Sequence, residues 1–441
     1  MTGRHRRNRP QDATAPIDNS QPHETDGPQF AQPQPSEDPT RFVVKHAPDG
    51  TAYREIDALA RAHELKPLAF PAARGGTEPV LTLEDIYGRT GTDIVRGITH
   101  AGQIVFHSVG DTGNTRSTES QNLVTDKLVS DFSESYKKDV PYFMLHLGDV
   151  IYSFGEAKYY YDQFYDPYRD YPAPIISLAG NHDGMVAPGV TVPTLQAFLE
   201  NFCATRFEVT PDAGGLDRTA QIQPGVYYTF EAPFVRILVL YSNTLEDPGV
   251  ISSENGSFPE LSDVQLDFLE AALKRVKSEK YDGALIIAHH HPIYTAGSQH
   301  GWSPSMQAQI DKICGDVDVW PHAVLSGHAH NYQRFTRKLK TMQIPYLIAG
   351  GGGHALAKLR KKGALPLRVP DVIEGDPSSG DGVTLESYDD LHYGYLRIVA
   401  WSNILRIEYH PANDGREAKT PDDYVTVDLK TRKLIHYVAH K

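Results

Sequence analysis

Three times between residues 104 and 183 an apolar run stops at or just short of a glycine, and a polar side chain able to hold a cation follows it. Residues 104–109 lead into Gly110-Asp111-Thr112-Gly113, residues 142–147 into Gly148-Asp149-Val150-Ile151-Tyr152, and residues 174–178 into Gly180-Asn181-His182-Asp183. Between the first two runs, Val124, Leu128, Phe132 and Tyr136 recur every fourth residue, the stripe of an amphipathic helix. Residues 158–168 supply a second helix pattern before the third run. Strand, helix, strand, helix, strand is the order of a parallel sheet, and ligands of open α/β sheets sit beyond the carboxyl ends of such strands. A chain with this rhythm is committed to an α/β fold.

The second half continues the theme. Residues 226–230 and 235–241 read as a hairpin around Glu231-Ala232-Pro233, and Leu266, Leu269, Leu273 and Val276 mark one helical face. A strand at 284–288 ends in His289-His290-His291-Pro292-Ile293-Tyr294. Another, at 323–325, feeds Gly327-His328-Ala329-His330, where two imidazoles one residue apart point the same way from an extended segment. Residues 345–349 lead into a glycine run at 350–353 and His354. Late strands at 393–399, 404–410, 424–427 and 434–438 suggest a second sheet, and the charged, Gly- and Pro-rich stretch 357–390 reads as a long loop. No internal repeat is visible.

The flanks carry less. Residues 1–40 have almost no apolar content and read as a disordered tail, because such a segment buries too little surface to offset its ordering entropy. Residues 41–102 read as an extension packed on the main domain, with a short helix at 56–63, interruptions at Pro67, Pro71 and Pro79, and no site of its own. The catalytic-type domain spans 103–441. The formal net charge of −13 argues against a nucleic-acid surface, and the basic stretches 334–340 and 358–362 read as solvated loops. No apolar run approaches the ~20 residues of a membrane span. Cys203 and Cys314 make no disulfide framework and fit a reducing compartment. The Arg-rich start is not followed by the apolar stretch of a secretory signal, so the expected location is cytoplasmic.

Taken together, the strand ends offer Asp111, Asp149, Tyr152, Asn181, one of His289, His290 and His291, and both His328 and His330. Any single Gly-Asp is an ordinary strand-ending turn. The ordered set is another matter: its oxygens and imidazoles are too many for one ion and suit two ions sharing a bridging carboxylate.

The motifs GDTG, GDVIY, GNHD, HHPIY and GHAH together resemble the calcineurin-like metallophosphoesterase superfamily, over roughly residues 103–400. Within it the chain resembles the purple acid phosphatase branch. Most of the superfamily has a histidine two residues after the first aspartate, where this chain has Gly113, and a tyrosine stands instead three residues after the second aspartate, at Tyr152. The resemblance implies a four-layer α-β-β-α sandwich of two mixed sheets. It implies a first metal set of Asp111, Asp149, Tyr152 and His330, whose phenolate suits Fe(III), and a second of Asp149, Asn181, His290 and His328 for a divalent Fe, Zn or Mn. His290 is chosen because the family's ligand precedes the proline by two residues. His182 would stabilise the phosphate oxygens, with Asp183 orienting or charging its imidazole. His300 lies near the spacing of the branch's leaving-group acid, with an ordinary loop histidine as the competing reading. His107 and His146, inside strands, read as core or hydrogen-bonded residues.

The activity implied is hydrolysis of small phosphate monoesters by a metal-activated hydroxide. A phosphodiesterase of the same superfamily is the alternative within the enzymes, and a non-catalytic metal- or phosphate-binding regulator the alternative outside them. The filled ligand set speaks against the regulator. No nucleic-acid or membrane partner is expected, and the oligomeric state is open. The chain departs from the branch in showing no signal peptide and in having too little sequence before residue 103 for a preceding β-sandwich.

Overall fold

Two mixed β-sheets lie face to face in the computed structural model, which describes residues 19–32, 50–133, 139–297, 299–359, 365–378, 380–412 and 420–435. In chain order the strands are β1 His23–Glu24, β2 Val80–Thr82, β3 Gln103–Val109, β4 Met144–His146, β5 Ile175–Ser177, β6 Glu208–Val209, β7 Tyr228–Ala232, β8 Val235–Val239 and β9 Ala284–Ala288. They continue as β10 Ala323–Ser326, β11 Tyr332–Leu339, β12 Met342–Ala349, β13 Asp371–Asp376, β14 Asp381–Asp389, β15 Gly394–Trp401, β16 Ile404–Pro411, β17 Asp423–Asp428 and β18 Lys433–Leu434. The helices that matter below are α1 Gly50–Arg61, α2 Glu119–Ser130, α3 Val264–Glu279 and α4 Pro304–Val317.

One sheet has nine strands in the order β13-β14-β11-β12-β10-β9-β8-β7-β2, the other seven in the order β18-β17-β16-β15-β3-β4-β5. The strands that carry the glycine motifs are the parallel ones, β3-β4-β5 in one sheet and β8-β9-β10-β12 in the other. Their runs are apolar on both faces because both faces are covered. Between the sheets, Phe106, Leu145, Ile176 and Ile398 meet Phe230, Ile237, Ile286 and Leu325 in one dry cluster. On the outer faces α2 packs through Val124 and Leu128, and α3 and α4 through Phe268, Leu269, Leu273, Met306 and Ile310. Helix, sheet, sheet, helix is the four-layer arrangement expected. None of the described helices is long and apolar enough to cross a membrane. Cys203 and Cys314 are buried free thiols.

Several sequence expectations need correction. Residues 19–32 fall inside the supposed disordered tail, yet β1 pairs antiparallel with β6, Thr219 N–H donates to the Gln29 carbonyl, and Phe30 sits edge-on to Tyr87. Backbone pairing orders a stretch that has little apolar surface of its own. Residues 1–18 and 33–49 lie outside the described residues. The stretch 357–390 is not one loop: β13 and β14 form a hairpin on the sheet edge, with Val383 and Leu385 facing the core. The basic run 334–340 lies in strand β11 up to Leu339 rather than in a solvated loop, with only Lys340 in the exposed turn that follows. Arg334 holds Asp423 through two hydrogen bonds of 2.7 and 2.9 Å, and Arg337 holds Asp311 through two of 2.7 Å. Residues 158–168 form no α-helix but a 3-10 turn at Ala157–Tyr159 and a wide π turn at Tyr161–Tyr165, since Tyr159, Tyr160, Phe164 and Tyr165 are buried on all sides.

Candidate metal centre

The carboxyl ends of β3, β4 and β5 meet those of β9 and β10, and there the polar residues converge. To turn sharply at the strand ends the backbone enters the left-handed region at Asp111 (φ 57°), Asp149 (φ 53°), His328 (φ 68°) and His330 (φ 46°). Non-glycine residues adopt this region at a cost, and they cluster where function demands it. Gly180 is required by closeness: a Cβ there would lie 2.1 Å from the Asp149 carboxylate.

Three donor groups overlap: two share Asp149, and a third joins Asp247, His300 and His328. Donor atoms of Asp111, Asp149 and His330 lie within 4.8 Å of one another, and so do those of Asp149, His290 and His328. The Tyr152 hydroxyl sits against the first group, 3.1 Å from Asp111 Oδ1, 2.9 Å from Asp149 Oδ2 and 3.2 Å from His330 Nε2. Asn181 Oδ1 sits against the second, 3.1 Å from His328 Nδ1.

The hydrogen-bond accounting inside this cluster does not close without cations. One phenolic proton cannot satisfy both carboxylates at once. His290 donates its Nδ1–H to the Leu147 carbonyl at 2.7 Å, which turns Nε2 toward Asp149 Oδ2, 3.2 Å away. His290 Nε2 and His328 Nε2 are buried with no hydrogen-bond partner. Such groups are costly in a dry interior unless an ion takes them up. The donor set, hard oxygens with imidazoles, fits two metal ions.

The calcineurin-like phosphoesterase family model matches residues 105–332, more than half of the chain. The chain belongs to that family. Among solved structures it is similar to a purple acid phosphatase, PPD1, from yellow lupin seeds, at 18% identity and a TM-score of 0.49, over 74% of this chain and 54% of that one. It is also similar to GAP50 of the Plasmodium inner membrane complex, at 14% identity and a TM-score of 0.47, over 73% and 90% of the two chains. PhoD is similar at 12% identity and a TM-score of 0.44, over 77% and 72%. The chain thus spans about half the length of the lupin protein. No curated protein matches its sequence significantly.

The electrostatics of this phosphoesterase centre follow from burial. Burial, with the nearby Asp149 charge, pushes Asp111 up to about 7 despite the opposing pull of His290. Burial also opposes the charge on His290, yet Asp149 and Asp111 lift it to about 10. Burial and His330 together push His300 down to about 4. The Tyr152 hydroxyl is held far above its ordinary range, by burial first and then by Asp149 and Asp111. The raised groups His290 and Tyr152 both answer to the negative charge gathered at Asp111 and Asp149.

The other sequence candidates fall around this cluster. His182 donates its backbone N–H to Asp149 Oδ1 at 2.9 Å, and its Nδ1 bonds the Ser153 carbonyl at 2.7 Å. Its Nε2 is thereby left free to face the cavity. Asp183 does not orient that imidazole. Its carboxylate turns the other way and accepts from the backbone N–H groups of Val150 (3.0 Å) and Gly180 (2.8 Å). Asp183 therefore ties the second and third motif loops together. The His300 ring lies 4.5 Å from that of His328 and 5.0 Å from that of His330. His291 is engaged at both nitrogens, by Ser242 at 2.7 Å and the Leu245 carbonyl at 2.6 Å, and so positions a loop. His107 is bonded to Asp131 and Tyr171, and His146 to Thr112.

The structure gives a place to His354, whose use the sequence left open, and adds Tyr53, Glu246 and Gln163, which sequence reasoning missed. His354 stacks on the Tyr152 ring at 3.9 Å and 15°. Tyr53, from α1, bonds Glu246 at 3.1 Å, and Glu246 lies 4.0 Å from His182 Nε2. The extension 41–102 thus contributes a side chain to the site. A cavity of about 90 Å³ over the cluster is lined by Tyr53, Tyr152, His182, Glu246, His300 and His330, among others. Nothing in the local sequence around Tyr53 or Glu246 marks them. Gln163 stood in plain view within an aromatic run, but only its reach back to Tyr152 gives it meaning.

Proposed function

We propose that this phosphoesterase is a dinuclear phosphatase of the purple acid phosphatase type, acting on phosphate monoesters. The observation that carries the reading is the Tyr152 hydroxyl, held against Asp111, Asp149 and His330. In most of the superfamily a histidine stands two residues after the first aspartate. Here the residue is Gly113, and a Cβ at that position would lie 2.4 Å from Gln163 Oε1 and 2.7 Å from the Val150 carbonyl. The place of that histidine is closed, and on this reading the Tyr152 phenol would serve as a ligand in its stead.

On this reading Asp111, Asp149, Tyr152 and His330 would hold Fe(III), for which a phenolate is a hard anionic partner. Asp149, Asn181, His290 and His328 would hold a divalent Fe, Zn or Mn, with Asp149 common to both. Two bound cations would supply a water of lowered pKa, from 15.7 toward ~7, and neutralise phosphate charge. The chain's own groups do the rest. Its Nδ1–H held by the Ser153 carbonyl, His182 would offer Nε2–H to a phosphate oxygen in the doubly protonated form, the role of a preorganised donor where charge builds. His300 faces the same cavity from the leaving-group side. Tyr53 and His354 wall the cavity and exclude water.

The deciding experiment is metal analysis and an absorption spectrum of the purified protein beside Tyr152→Phe. Two metals per chain, with a visible band that the variant loses, support the reading. A colourless two-metal protein that still hydrolyses p-nitrophenyl phosphate moves it to the wider family. Comparing that monoester with bis(p-nitrophenyl) phosphate decides between monoesterase and diesterase.

A further inference from the structure

The small cavity over the metal cluster opens into a larger cleft of about 670 Å³. The two share Tyr53, Glu246, His300, His330 and His354. One wall of the cleft is α1, which lies outside the family match and is docked by Ala52, Tyr53 and Ile56 against Phe154, Met185 and Ala187. On the phosphatase reading a phosphate group would occupy the inner cavity, and the rest of the ester would then lie in the cleft.

The charge of that cleft is one-sided. Among the described residues, Arg61 is the one Lys or Arg lining it, and its guanidinium is paired with Asp57 at 2.6 Å. Glu246 and Asp247 have no Lys or Arg within ion-pair distance among the described residues. Glu246 Oε1 takes the Tyr53 hydroxyl at 3.1 Å. Asp247 Oδ1 takes the Gly301 N–H at 2.7 Å. Two partly desolvated carboxylates beside a half-buried aromatic ring repel a second anionic group and favour a cation, through charge and through the ring face.

We propose that the substrate of this site is a phosphate ester of an amino alcohol, its ammonium lying in the cleft between Glu246, Asp247 and Tyr53. The proposal rests on the phosphatase reading above and names its substrate class.

The test uses the metal-loaded full chain and two esters of the same shape, phosphocholine and its neutral isostere 3,3-dimethylbutyl phosphate, with p-nitrophenyl phosphate as control. The expected ratio of kcat/KM, cation over isostere, is about tenfold or more. It falls toward one in Glu246→Gln, in Asp247→Asn and in the double variant. Because each ratio is taken within one preparation, partial misfolding of a variant cancels. A ratio near one in the parent, or a ratio preserved in all three variants, overturns the proposal. So does turnover of p-nitrophenyl phosphate with neither ester cleaved. Failure of the loaded protein on all three compounds removes the phosphatase reading itself, and the proposal with it.

Discussion

The side-chain amide of Gln163 holds the Tyr152 residue from both of its backbone groups: Oε1 accepts the Tyr152 N–H at 2.9 Å and Nε2 donates to the Tyr152 carbonyl at 2.7 Å. Both bonds are buried. The same Oε1 fills the space that a side chain at Gly113 would need. Glycine, glutamine and tyrosine are therefore one device, although they belong to three different segments of the chain.

Replacing Gln163 with Leu leaves two buried backbone groups unpaired. Unfolding titrations are expected to show a loss of about 2–4 kcal/mol. Metal bound per chain should fall as well, because the phenol is no longer aimed at Asp111 and Asp149. Full occupancy in the folded variant would show that the clamp does not position the ring.

Gly113→Ala places a methyl 2.7 Å from the Val150 carbonyl and 2.8 Å from Ile151 Cα, both part of the backbone and unable to swing aside. Overpacking of this kind costs about 1–3 kcal/mol. Thermal denaturation checks it, and the added change Gln163→Ala is expected to restore only part of the loss.

Asp149 belongs to two donor groups, those of His330 and of His290, and Asn181 faces only the second of these. Elemental analysis is expected to find both metals depleted in Asp149→Asn but one retained in Asn181→Ala. Chelation of the parent should lower its melting temperature, since ions bound at 1,000 times their Kd contribute about 4 kcal/mol. A melting temperature indifferent to chelator and to added metal would contradict the two-ion reading.

Arg337 is buried from β11 against Asp311 on α4. Arg337→Met strands that carboxylate, and a loss of roughly 3 kcal/mol is expected in chemical denaturation. Adding Asp311→Leu should recover most of it. Non-recovery would mean that packing rather than charge sets the cost.

His322 accepts the Leu285 N–H through Nδ1 at 2.9 Å, so its buried ring must stay neutral, and burial pushes it down to about 3. The unfolded chain takes up this proton below about 6.5, whereas the folded one does so only near 3. Stability is therefore complete above pH 6.5 and is lost as the pH falls toward 3. At pH 4.5 this group alone should cost about 2–3 kcal/mol. Unfolding free energies of the parent and of His322→Asn at pH 7.5 and 4.5 measure it: the variant should show the smaller acid loss, and equal losses would refute the assignment.

Much of the frame was legible because it is local. A strand of 284–288 appears with those bounds, and the glycine turns after β3, β4 and β5 place Asp111, Asp149 and Asn181 where parallel-sheet geometry predicts. The hairpin β13–β14 was hidden, since its charges and glycines mask the alternation of Val383 and Leu385. Arg334 and Arg337 looked like solvated charges because Asp423 and Asp311 lie far along the chain.

Which donors exist, and in what order, is written in short motifs whose physics spans a few residues: an apolar run, a tight turn, a polar side chain. Folding decided the remainder. The Asp183 carboxylate turns away from His182 because the backbone N–H groups of Val150 and Gly180 compete for it. Gln163 reaches Tyr152 because the π turn brings it there. Tyr53 meets Glu246 across 193 positions of chain. Contacts of that kind depend on how two sheets and their loops pack together, and no window of neighbouring residues contains them.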